Sequence, residues 1–383
     1  MAIHSNRGKT RNAKPYDPEI YEGLQIPKGP TQPVKESVKT LILKPKLTND
    51  EIKAREGTYF TEKDADEIIK GDTDVYALDA ETGEKKLLAR FRKNVINKDL
   101  IRQGWEAFYS TAAPSRNRGA AAGPIDTKGL YWKKRNPTEI TGWSARYMQD
   151  GKVSKMRVNN NVFSSVLGFF EETPFMGLPC RLTSYTQRYF KQYKHGLPFL
   201  QALSKMFKEL LPSQYNAQLK QANMKSAYKI PETAFSSATI NRNFRTALHM
   251  DDGDFRKGFG NLSVIERGDY GGGYTLFPRY KIGFDVRTGD FLAMDVHEWH
   301  CNTELTETAE QKTKNKRLSK IHRQNISTGT HGEDKPFTRI SFVCYLREKL
   351  VGCNEGETKK YYKRIDFDPV HGSNGTRKKK SKN

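Results

Sequence analysis

A chain of 383 residues is long enough to bury a sizeable core, as one large domain or two ordinary ones. Lysine and arginine total 66 against 44 acidic residues, a formal charge of +22, which favours a polyanionic partner, most plausibly nucleic acid. No apolar run approaches the roughly 18 residues of a membrane span, and four cysteines (Cys180, Cys301, Cys344 and Cys353) form neither a C-x-x-C pair nor a disulfide framework. The expectation is therefore a soluble, intracellular protein in a reducing compartment, with no membrane partner.

Residues 1–45 read as a basic, proline-rich arm, in which Arg7, Lys9, Arg11 and Lys14 precede Pro15, Pro18, Pro27, Pro30 and Pro33. Little in it can be buried, so a disordered terminus and an arm that follows phosphates both fit. Residues 46–150 form an N-terminal α+β extension. Thr48 and Glu51 carry the pattern of a helix N-cap, 75–91 reads as a hairpin turning at 81–84, and 98–110 has a helical apolar period. Across 127–165 the aromatics Tyr131, Trp132, Trp143 and Tyr147 alternate with Lys133, Lys134, Arg135 and Arg146. That mixture suits a surface that stacks bases and neutralises phosphates, and equally an amphipathic sheet edge.

Helices are expected at 181–196 and 197–212, the second with a wide apolar stripe and prolines near its two ends. From Phe235 onward the period becomes that of strands, at 236–241, 244–249, 261–267, 273–277, 283–286, 290–295 and 338–346. Short strands in such number imply a double-stranded β-helix, or jelly roll, enclosing a central cavity. The predicted class is α+β, mainly β: a jelly-roll core in a domain over 151–370, supporting helices, and disordered basic tails, the second at 371–383. A polar insertion at 306–336, with seven lysines or arginines against four acids, interrupts the barrel and reads as a mobile loop.

The chemistry concentrates between Asn241 and Leu346. His249 and Asp251 are two residues apart, so on an extended segment they point to one face. The strand 290–295 then ends in a turn carrying His297 and His300. Two histidines and one carboxylate with open coordination positions suit a non-haem Fe(II) oxygenase. Arg339 opens an alternating strand, and a buried arginine there could clamp the carboxylate of a 2-oxo acid through two parallel hydrogen bonds. Arg347, at the far end of the same strand, is a spare candidate. A zinc site from Cys301, His322 and His331 is conceivable but lacks ligand spacing.

His249-Met-Asp251, the run GGGYTLFPRYKIGFDVRTGDFLAMDVHEWHCN and Arg339-Ile-Ser341, in that order, resemble the TET/JBP family of Fe(II)- and 2-oxoglutarate-dependent nucleic-acid dioxygenases. Upstream, VFSSVLGFF (162–170), PCRLTSYTQRYF (179–190) and FSSATINRN (235–243) match in style, so the likeness covers roughly 155–350. The resemblance implies His249, Asp251 and His300 as metal ligands, with His297 left beside the site. It implies Arg339 and Ser341 as binders of 2-oxoglutarate, and Fe(II), 2-oxoglutarate and O2 as cofactors and co-substrates. The expected reaction is hydroxylation of the 5-methyl group of thymine or 5-methylcytosine in DNA, on a base flipped out of the duplex. The enzyme is expected to be a monomer, nuclear in a eukaryote. Two other readings stand beside it: an AlkB-like dioxygenase acting on RNA or an alkylated base, and an inactive basic DNA-binding protein.

Overall fold

The computed structural model describes residues 18–35, 37–79, 82–110, 113–318 and 335–372. The cations at 7–14, His322 and His331 of the conceivable zinc site, and the basic run at 377–382 lie outside them.

The alternation expected of the last strand organises the molecule. In Thr338–Tyr345, Ile340, Phe342 and Cys344 join the largest apolar core, while Arg339, Ser341, Val343 and Tyr345 line a cavity on the opposite face. This strand sits centrally in a ten-stranded sheet, hydrogen-bonded antiparallel to Gly260–Arg267 on one side and Ser237–Arg242 on the other. Beyond Ser237–Arg242 comes Val162–Phe170, buried on both faces along nearly its whole length, its two serines included. Beyond Gly260–Arg267 comes Phe291–Met294.

A second sheet, ordered Cys301–Asn302, Thr275–Phe277, Ile282–Phe284, Glu67–Ile69, covers the cavity from the other side. Phe277, Phe284, Leu262, Val264 and Leu292 close the space between the two sheets in one apolar cluster. The α+β class with a double-stranded β-helix core is thus the observed architecture. The predicted strand at 244–249 is instead a short ladder: His249 and His300 exchange both backbone hydrogen bonds at 3.0 Å, without forming a longer strand.

The outer face of the large sheet is covered by the helices Lys98–Phe108 and Phe190–Leu210, whose Phe108 and Phe199 rings sit 5.5 and 4.9 Å from Phe342. Gly196 makes their crossing possible, since a Cβ there would stand 2.1 Å from the Phe108 ring. The two helices expected at 181–196 and 197–212 are otherwise divided: a short helix Ser184–Arg188, then one continuous helix through Pro198. Burial of Leu197, Phe199 and Leu200 around the proline offsets the cost of a proline inside a helix, its lost hydrogen bond and ring clash together about 3 kcal/mol.

Four further expectations change. Residues 18–45 are not a free arm: the Trp105 indole N–H donates to Ile20 O at 2.8 Å, Arg267 Nε donates to Glu22 O at 2.7 Å, and Lys39–Leu43 pairs with Thr73–Leu78. The start of the insertion is ordered, with a capping box at Thr308 and Gln311 opening the helix Ala309–Asn315. Cys180 and Cys353 are joined in a disulfide across 173 residues, a pairing that spacing alone did not suggest. Trp132 and Tyr131 face inward, with Trp132 Nε1 donating to Asn160 Oδ1 at 2.9 Å, so they are not available to stack bases. The capping box at Thr48–Glu51 and the hairpin Thr73–Leu78/Lys85–Arg92 form as expected. That hairpin extends the large sheet beside Phe291–Met294, so residues of 46–150 share the sheet with the later strands.

Candidate metal and co-substrate site

Both histidines of the site are held by one local device. His249 Nδ1 lies 2.8 Å from Ala247 O and His300 Nδ1 lies 2.9 Å from Glu298 O, each the carbonyl two residues back. A carbonyl can only accept, so each Nδ1 carries the proton and each Nε2 presents a lone pair. Glu298 is in turn pinned by Arg279 and by the Tyr280 hydroxyl, both at 3.1 Å. This outer support fixes the ring that follows it.

The His249–His300 ladder sets the rings 4.4 Å apart. Asp251 N–H donates to Val296 O at 3.0 Å, which turns the carboxylate toward them. Asp251 Oδ1 is 3.7 Å from His249 Nε2, and Oδ2 is 4.0 Å from His300 Nε2. These are too long for hydrogen bonds. The three donor atoms lie within 4.8 Å of one another, room for one cation between them. Burial and the neighbouring His300 push the His249 imidazole down to about 4, so it is neutral at neutral pH, as a ligand must be.

His297 stays outside this group, with Nε2 3.4 Å from Phe255 O. His195 is exposed and pairs with Glu106 at 3.0 Å.

Arg339 is 5% exposed, and its Nε and Nη2 find no hydrogen-bond partner among the described residues. Its backbone is fixed by Asn243: the Arg339 N–H donates to Asn243 Oδ1 at 2.7 Å, and Asn243 N–H donates to Arg339 O at 2.9 Å. Asn243 adopts φ +47°, a left-handed turn that ends its strand and allows this exchange. Ser341, two residues on, faces the same cavity. The cavity, about 350 Å³, also contains His249, Asp251 and His300. A buried cation without an anionic partner is costly unless a ligand supplies one. The spare candidate Arg347 is not free, because its guanidinium holds Glu171 through Nε and Nη2.

Four cavity residues escaped sequence reasoning. Arg118, on the loop that roofs the cavity, has a buried Nε without a partner among the described residues. Asp254 is buried with its Oδ2 unpartnered among the described residues, and burial together with Asp251 pushes its carboxyl well above the usual range. Thr239 and the Tyr345 hydroxyl lie 3.1 Å apart across neighbouring strands. Asp254 carried a signal, as the third acid of Asp251-Asp252-Gly253-Asp254. Arg118 carried none, being one cation among 66.

Residues 165–348 match the family described as Tet_JBP, the oxygenase domain of the 2OGFeDO superfamily. The bifunctional helicase and thymine dioxygenase JBP2 of Leishmania infantum is 35% identical over 188 residues, 49% of this chain and 14% of that protein. Thymine dioxygenase JBP1 of Trypanosoma brucei brucei is 31% identical over 206 residues, 52% of this chain and 23% of that protein. The chain thus matches between about a seventh and a quarter of the length of these relatives. A solved structure described as NgTET1 in complex with 5mC DNA aligns with TM-score 0.43 and 13% identity, over 78% of this chain and 88% of that one.

Proposed function

We propose that this chain, whose residues 165–348 belong to the Tet_JBP oxygenase family, is an Fe(II)- and 2-oxoglutarate-dependent dioxygenase that hydroxylates the 5-methyl group of a pyrimidine in DNA. The observation that carries the reading is one cavity holding two histidines and a carboxylate whose donor atoms converge, and a buried arginine with two nitrogens unpaired among the described residues. The residues fit the group they would hold. Two imidazole nitrogens and a carboxylate on one side leave coordination positions open, the pattern of non-haem Fe(II) oxygenases. The iron, with 2-oxoglutarate and O2, would supply the oxidising power for an unactivated C–H bond.

The chain itself supplies position. The carbonyls of Ala247 and Glu298 keep Nε2 of each histidine unprotonated and aimed inward. Arg339 offers Nε and Nη2 to the distal carboxylate of 2-oxoglutarate, and the Ser341 hydroxyl stands on the same face of the strand. Asn243 fixes the backbone from which Arg339 reaches. Because the cavity lies between two sheets, a methyl group in a stacked base pair cannot reach it, and the nucleotide must be flipped out. The relatives named as thymine dioxygenases favour thymine over 5-methylcytosine.

The test is mass spectrometry of nucleosides from duplex DNA containing both bases, after incubation with the protein, Fe(II), 2-oxoglutarate and ascorbate. A 5-hydroxymethyl nucleoside, absent with His249→Ala, is the expected result. Succinate without an oxidised pyrimidine would move the substrate elsewhere; neither product would overturn the reading.

A further inference from the structure

We infer that the small sheet formed by Pro137–Thr141, Ser144–Gln149 and Lys152–Val153, with the preceding turn at Lys133–Lys134, is the arm by which this protein grips duplex DNA beside the cavity. The inference rests on the DNA substrate proposed above. Between 133 and 157 the chain carries seven lysines or arginines against the two acids Glu139 and Asp150, a net +5 in 25 residues, set against +22 in 383 for the whole. Glu139 is already engaged by Arg146 and Arg157, at 3.3 and 3.5 Å. Lys133, Lys134, Lys152 and Lys155 are exposed, and none has a carboxylate within ion-pairing distance among the described residues. Four solvated ammonium groups without local anions form a field complementary to a phosphate backbone.

Exposed lysines alone would be an ordinary solvated surface. What separates these is how the sheet is joined to the cavity. Asn117 to Ala121 roof the cavity, and the chain leaving the small sheet is hydrogen-bonded directly to that roof. Asn159 Oδ1 accepts from Gly119 N–H at 2.9 Å, and Asn159 N–H donates to Arg116 O at 2.9 Å. Its side-chain amide donates in turn to Trp143 O, in the turn between the first two strands of the sheet, at 2.9 Å. Asn160 repeats the arrangement, donating to Ala122 O at 3.0 Å and accepting from Trp132 Nε1 at 2.9 Å.

Cations also run continuously from roof to arm. Arg116 donates to the Tyr131 hydroxyl at 2.8 Å, and the Arg135 guanidinium stacks 4.2 Å over the same ring. Tyr131, Trp132 and Ala145 form a small core of their own, which makes the arm a packed unit. The aromatics thus brace the arm from within, and the cations face the solvent where a backbone would lie. A phosphate contact positions a duplex without reading its sequence, which is the task of an arm next to a pocket that takes one base.

The experiment measures binding of the full chain to a fluorescein-labelled 30-base-pair duplex by anisotropy at several salt concentrations. The variant K133A/K134A/K152A/K155A should bind about 10- to 100-fold more weakly near 0.15 M salt, with the slope of log affinity against log salt reduced by about 3. Asp150→Lys should bind more tightly than wild type, a gain that no loss of folding can imitate. Unchanged affinity and slope in the quadruple variant, or no gain from Asp150→Lys, would overturn the arm. The nucleoside assay separates the two readings. Oxidised nucleosides together with unchanged duplex affinity would remove the arm and keep the enzyme. Shifted affinity with no oxidised nucleoside in any protein would keep the arm and remove the pyrimidine hydroxylase.

Discussion

Replacing Arg339 by methionine should act in opposite directions on stability and on co-substrate binding. The side chain is 5% exposed and two of its nitrogens are unpartnered among the described residues. A buried polar group in that state costs about 1–3 kcal/mol, more when it is charged. Methionine fills a similar volume without the charge, so the ligand-free variant should be more stable by about that amount and melt a few degrees higher. With 2-oxoglutarate the sign reverses. Two charge-assisted hydrogen bonds at about 1.5–3 kcal/mol each are lost, which corresponds to affinity weaker by roughly 10²- to 10⁴-fold. The assay is thermal unfolding with and without 2-oxoglutarate and Mn(II) as a redox-inert stand-in for iron. Wild type should show a co-substrate-dependent rise in Tm, and Arg339→Met a higher baseline with no rise. A variant that melts lower than wild type without ligand, or that keeps the full rise, would refute the argument that this guanidinium is held in reserve for a carboxylate.

Three further outcomes test the surroundings. Asn243→Gly keeps the left-handed backbone but removes the acceptor for Arg339 N–H, so titration should show weaker 2-oxoglutarate binding while the metal affinity is kept. Gly196→Ala drives a methyl group into the Phe108 ring, and urea unfolding should report a loss of about 1–3 kcal/mol. Burial pushes the Asp290 carboxyl up from 3.8 to about 6, although Lys93 and the amides of Arg287 and Asn94 oppose it. Because the folded state holds that proton more tightly than the unfolded chain, this contribution is fully present below 3.8 and lost as pH rises through 6, about 3 kcal/mol in all. Comparing wild type with Asp290→Asn by urea unfolding at pH 4 and pH 6.5 should show a smaller fall in stability on raising the pH in the variant.

Much of this protein is written locally. The alternation of Thr338–Tyr345 announces a strand with a cavity face and a core face, because side-chain direction in a strand has a period of two. His249 and Asp251 fall on one face for the same reason, and the capping residues at Thr48 and Glu51 act within a single turn. These features depend on neighbours in the chain, so spacing is enough to find them.

What the tertiary structure alone decided involves partners far apart in sequence. That His300, and not His297, lies beside His249 and Asp251 is decided by the antiparallel bridge from His249, 51 residues upstream. The fate of the two arginines at the ends of one strand differs because Glu171 reaches Arg347 across 176 residues, while among the described residues no carboxylate pairs with Arg339. Cys180 meets Cys353 over 173 residues, and Trp132 turns inward because Asn160 lies behind it. In each case the local pattern allowed more than one outcome, and packing against a distant segment selected one, since a polar group removed from water must find its partner wherever the fold puts it.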